Sequence, residues 1–199
     1  MSTKYKPNIF LFILSLLPII IATPARFGCG LVIILLLNLI MILGTTVRFF
    51  MSKVSTGNTE RLIILLFLIF ITIIYKRLLV LFSPILGIIL SFALYFVPLS
   101  PISLELLVSK DDYSNVHVFG KNMAYSGLYS LVLFFFFIIR EFLAYGSISF
   151  PVRSGIIPFE YFPWHSSFWA TISGGFILIS IIYVILMFVD KKLETVRKQ

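Results

Sequence analysis

The chain has 199 residues, of which 60% are hydrophobic and 12% charged, with a mean hydropathy of +1.09. A soluble domain carries about 25% charged residues, so the composition leaves no room for a sizeable soluble domain and points to a helical membrane protein. The net charge of +8 comes from Lys and Arg that flank apolar runs; there it sets orientation in a membrane and does not call for nucleic acid.

Runs such as 31–43 and 130–139 are apolar all round, whereas a membrane β-barrel would alternate. The first apolar stretch, Asn8 to Thr23, has 16 residues, about 24 Å as a helix, against the roughly 30 Å of a bilayer core. Pro18 lies inside it and removes a backbone donor. Lys4 and Lys6 precede it as in a signal peptide, but no clean small-x-small cleavage site follows. The stretch is therefore expected to stay in the mature chain. A second run, Gly30 to Val47, is long enough to span and ends at Arg48; a polar loop leads to Arg61.

Leu62 to Val97 is apolar apart from Lys76-Arg77 and Ser83-Pro84. One division makes helices of 62–75 and 78–97. The other, preferred here, makes one span of 62–82, a turn at Ser83-Pro84 and a short segment 85–97, because Pro after Ser signals a turn and basic residues near a helix end can snorkel. A fifth span covers Met123 to Ile139, followed by Arg140-Glu141 and a long loop from Leu143 to Ser167 with Pro151, Pro158 and Pro163. Tyr161, Phe162, Trp164 and Trp169 gather at the mouth of the last span, Phe168 to Val189, as an aromatic belt does.

The expected fold is a single all-α polytopic membrane domain over 1–199 with six transmembrane helices. Two short, Pro-interrupted segments in corresponding places point to two inverted three-helix repeats, 8–82 and 85–189, with short broken helices 1 and 4.

Few residues carry chemistry. Arg140 and Glu141 are adjacent, so on a helix they do not face each other; they are either interfacial anchors or a subunit contact or ion path. Arg48 ends span two, the repeat mate of span five. Asn38 lies mid-span, where an Asn more often ties helices together than binds an ion. Gly127 and the pair Gly174-Gly175 are read as permitting close helix packing. Cys29 is the only cysteine, so neither a disulfide nor a four-Cys metal site can form within one chain. His117 and His165 match no metal-ligand spacing, and no nucleophile–base pair, phosphate loop or carboxylate pair stands out.

The order of motifs resembles the six-helix membrane subunits shared by the Rnf electron-transport complex (A and E) and the sodium-pumping NADH:quinone reductase (D and E). The motifs are Leu16-Leu17-Pro18, Ala22-Thr23 and Gly28-Cys29-Gly30; then Val97-Pro98, Glu105 and Ser109-Lys110; then Arg140-Glu141-Phe142-Leu143 with Gly146, and Ile157-Pro158 to Pro163. The resemblance implies an integral subunit of an ion-translocating electron-transport complex of the inner membrane, beside other membrane subunits or in a homo- or heterodimer. In the family, two cysteines per subunit help hold an iron–sulfur cluster between homologous partners. This chain has Leu17 and Pro98 at those positions, and neither supplies a thiolate. Cys29 is 12 residues past Leu17 and is no obvious substitute. The implied subunit is non-catalytic, with no cofactor of its own, the alternative being a shared iron–sulfur cluster at a subunit interface. It would contribute helices and an ion path or subunit contact drawn from Asn38, Arg48, Glu105, Arg140 and Glu141. A small inverted-repeat secondary transporter and a structural or assembly membrane protein are the rival readings.

Six crossings put 11 of the 16 Lys and Arg residues on the side of both termini, which should therefore be cytoplasmic. Reporter fusions at each end test this; a cytoplasmic reporter that stays silent at Gln199 would exclude six crossings.

Overall fold

A computed structural model describes residues 9–51, 59–100, 115–159, 162–163 and 165–197. Helix α1 spans Ile9–Ala22, α2 Phe27–Met51, α3 Thr59–Phe82 and α4 Pro84–Ile89. A 3-10 turn at Ala93–Tyr95 leads into α5, Phe96–Leu99; α6 spans Asn115–Tyr145; strands β1 (Ile148–Val152) and β2 (Gly155–Phe159) follow; a 3-10 turn at Ser167–Ala170 precedes α7, Ile172–Arg197. Three helical stretches, 27–51, 62–82 and 122–145, are long and apolar enough to cross a membrane, the mark of a helical membrane protein. A shorter apolar stretch, Ile172–Phe188, lies in α7.

The core is built on α2, which is buried along most of its length from Phe27 to Thr45. Its chief neighbour is α6. Phe27 meets Glu141, Gly30 meets Phe137, Asn38 meets Ser126 and Ser130, and Thr45 meets Asn122. The numbers rise on one helix as they fall on the other, so α2 and α6 run antiparallel. Gly30 permits the close approach: a Cβ there would be driven into the ring of Phe137, which is wholly buried. On the far side Tyr75 of α3 donates its hydroxyl to the Val32 carbonyl at 2.8 Å.

Several expectations change. Helix α1 is short, as expected, but continues through Pro18; the lost backbone bond is outweighed by packing of Leu16, Ile19 and Ile20 in the core. The segment after Ser83 is not one helix but α4, a 3-10 turn and α5, with Pro84 in α4's first turn, where its missing N–H is harmless. The Ser83-Pro84 break falls where the preferred division put it, and Lys76-Arg77 lies inside α3. Helix α6 runs on to Tyr145, so Arg140 and Glu141 lie within it. Gly146, at φ +61°, ends α6 in the left-handed cap that favours glycine.

The stretch read as loop holds a β-hairpin. Val152 pairs with Gly155 across a two-residue turn, and Ser149 pairs with Pro158. Pro151 and Pro158 argue against a central strand, but both strands of a two-stranded sheet are edges, where proline is tolerated. The hairpin rests on α2 at Gly28, where a Cβ would lie 3.1 Å from the Pro151 nitrogen. Gly127, by contrast, has open space around its Cβ position, so it does not mediate close packing.

The two glycines give opposite expectations. Gly30→Ala should destabilise by about 1–3 kcal/mol, because Phe137 has nowhere to move. Gly127→Ala should be neutral or stabilising by up to about 1 kcal/mol, since Ala is the better helix former. Unfolding of both variants in mixed micelles checks the contrast.

Candidate functional site: a buried arginine–glutamate junction

Between Ala22 and Phe27 the chain turns from α1 into α2. Such a break leaves carbonyls at one helix end and amides at the next without partners. The Ile20 carbonyl would normally take the amide of residue 24, but that residue is Pro24 and has no N–H. The Thr23 carbonyl and the Phe27 amide are likewise parted by the turn.

Consecutive residues of α6 supply both deficits. Arg140 donates through Nη1 to the carbonyls of Ile20 (3.2 Å) and Thr23 (3.3 Å). Glu141 accepts the Phe27 amide through Oε2 at 2.6 Å. Adjacent helical residues point in different directions, so one side chain reaches the end of α1 and the other the start of α2. The signs complement the helix dipoles: a cation at the α1 C-terminus and an anion at the α2 N-terminus.

Arg140 is 2% exposed and uses all five of its N–H groups. Nε donates to Trp169 O at 3.3 Å, and Nη2 to Ala170 O (3.4 Å) and Thr171 O (3.2 Å). It thereby joins α1 to the turn that opens α7. Gly175 of α7 leaves room for it, since a Cβ there would come within 3.3 Å of the guanidinium.

Glu141 is fully buried. Its Oε1 accepts from Arg26 Nη1 at 3.1 Å, and its Oε2 also accepts from the Ser149 amide (3.1 Å) and hydroxyl (2.8 Å). Arg26 lies over the Tyr145 ring, 3.8 Å from its centroid. The rest of the first turn of α2 is also satisfied: Gly28 N donates to Ser149 Oγ at 3.4 Å, and Cys29 N and Gly30 N donate to the Arg26 carbonyl.

A second polar group lies farther along the α2–α6 contact. Asn38 Nδ2 donates to Ser130 Oγ at 2.8 Å, Ser126 Oγ donates to Asn38 Oδ1 at 2.8 Å, and Asn122 Nδ2 donates to Thr45 Oγ1 at 3.2 Å. Asn38 thus ties two helices together, as expected of a mid-span Asn. Buried Leu133 and Phe137 separate this group from the junction.

The interfacial-anchor reading of Arg140 and Glu141 is overturned, because both are buried with partners inside the chain. Arg48 is half-buried in the last turn of α2, away from the junction, and Glu105 lies outside the described residues. Sequence reasoning passed over Arg26, Ser149 and Ser147, whose hydroxyl donates to Glu141 Oε1 at 3.5 Å. Pro24, which strips Ile20 of its partner, and the i, i+2 serines entering a strand were the available signals.

The two positions to which the resemblance assigns cluster cysteines carry no thiolate. Leu17 is half-buried in α1, Pro98 is buried in α5, and neither carries a ligand atom. Cys29 is buried in the first turn of α2, and among the described residues no three His, Cys, Asp or Glu side chains converge as metal ligands. No family model matches the chain, and no curated protein is significantly similar to it in sequence.

Glu141→Ala leaves the buried amides of Phe27 and Ser149 without their acceptor, and an unsatisfied buried donor costs about 1–3 kcal/mol, so the variant should lose at least about 2 kcal/mol. Glu141→Gln keeps an acceptor oxygen and should cost about 1.5–3 kcal/mol, the worth of a hydrogen bond to a charged group. Arg140→Lys should also destabilise, because three donors cannot serve five carbonyls. Unfolding in mixed micelles ranks them; a Glu141→Ala variant as stable as wild type would show that the junction is not structural.

Proposed function

We propose that this chain is a non-redox integral subunit of an Rnf/Nqr-like ion-translocating electron-transport complex. It sits in the inner membrane with both termini cytoplasmic and six helices in two inverted three-helix halves. The observation that carries the reading is the Arg140-Glu141 pair. The residues that open the fifth-helix motif of the resemblance are those that bind the end of α1, the start of α2 and the mouth of α7. The antiparallel run of α2 and α6 supports it further, since an inverted two-fold relates its paired helices in opposite senses.

The proposed role is to hold helices around an ion path or against partner subunits, with Asn38, Arg48, Glu105, Arg140 and Glu141 as the residues concerned. Electron transfer belongs to the partners, because Leu17 and Pro98 cannot ligate iron.

Affinity purification from native membranes in a mild detergent tests the proposal. It should recover flavin- or iron–sulfur-bearing membrane partners with this chain. The chain purified by itself should hold no stoichiometric iron or acid-labile sulfide. Recovery of the chain alone, together with solute uptake by it in liposomes, would establish the transporter reading instead. A cluster present in wild type and lost in Cys29→Ser would return electron transfer to this subunit.

A further inference from the structure

Arg77 is exposed in the last turns of α3, a helix long and apolar enough to span a membrane, and it pairs with no carboxylate among the described residues. Lys76 beside it is half-buried, its ammonium 5.4 Å from the centroid of the Tyr95 ring. From Arg77 toward the start of α3, Ile74, Phe70, Leu66 and Ile63 are all exposed. Steps of three and four residues put them on one face of the helix. The stripe from Arg77 to Leu66 rises over 11 residue steps, about 16 Å of helix, close to half of a bilayer core of about 30 Å.

We propose that this face binds an anionic phospholipid, its phosphate on Arg77 and one acyl chain lying along Ile74, Phe70 and Leu66. The chemistry is that of an amphiphile: a cation at one end of an apolar strip one leaflet long. A charge inside a span is costly unless compensated. The Cα–Cβ bond of a helical residue tilts toward the helix N-terminus, which for Arg77 is back toward the middle of the span. A lipid phosphate drawn to that depth removes the cost. Among the described side chains the one carboxylate a second copy could offer, Glu141, is already bonded to Arg26.

The test is lipid competition on the purified full chain. Protein exchanged into an equimolar mixture of phosphatidylglycerol and phosphatidylcholine is repurified, and its retained lipids are counted by native mass spectrometry. Wild type should retain phosphatidylglycerol about fivefold over phosphatidylcholine, the equivalent of about 1 kcal/mol for one basic residue near a membrane surface. Arg77→Gln should abolish the preference, Arg77→Lys should keep it, and Arg153→Gln, in the exposed hairpin turn, should leave it unchanged. The proposal is overturned if wild type shows no preference, if Arg77→Gln retains it, or if Arg153→Gln removes it equally. It is also overturned if Arg77→Gln instead detaches a protein partner while lipid retention stays the same.

Discussion

A broken helix connection in a dry interior is the constraint on which the structure depends. Backbone groups that find no water must find protein, and the turn between α1 and α2 creates an acceptor deficit on one side and a donor deficit on the other. The Arg140-Glu141 pair answers both from one turn of α6. Glu141 is in turn neutralised by Arg26, while Arg140 is held by five carbonyls. The charges are therefore components of the backbone's hydrogen bonding and not decorations of a helix end.

Much of the remaining arrangement follows from where that junction must sit. For Glu141 to reach the Phe27 amide, α6 must lie directly against α2, and Gly30 opposite Phe137 allows that distance. For Arg140 to reach Thr171, the mouth of α7 must come close, and Gly175 leaves the space. The hairpin brings Ser149 to Glu141 and to the Gly28 amide. A substitution that enlarges any of these small residues acts on the junction even when it removes no charge.

What could be read from the residues beforehand was local. Apolar runs gave the membrane class, Ser83-Pro84 marked the end of α3, and Asn38 in mid-span pointed to a helix tie. Arg140 and Glu141 were recognisable as unusual, but their partners were not. Arg26 lies 115 positions from Glu141, and nothing next to either residue in the sequence marks them as partners. The hairpin stayed hidden because Pro151 and Pro158 mask a strand pattern whose turn is only Arg153-Ser154. Pro18 misled in the opposite direction, because tertiary packing holds α1 helical across it.

The central claim is that Glu141 caps the start of α2 and fixes the hairpin to it. Hydrogen–deuterium exchange of wild type and Glu141→Gln in the same detergent tests it most directly. The account predicts faster exchange of the Phe27 and Ser149 amides in the variant, with the middle of α3 unchanged. Equal protection at Phe27 and Ser149 in the two proteins would contradict it.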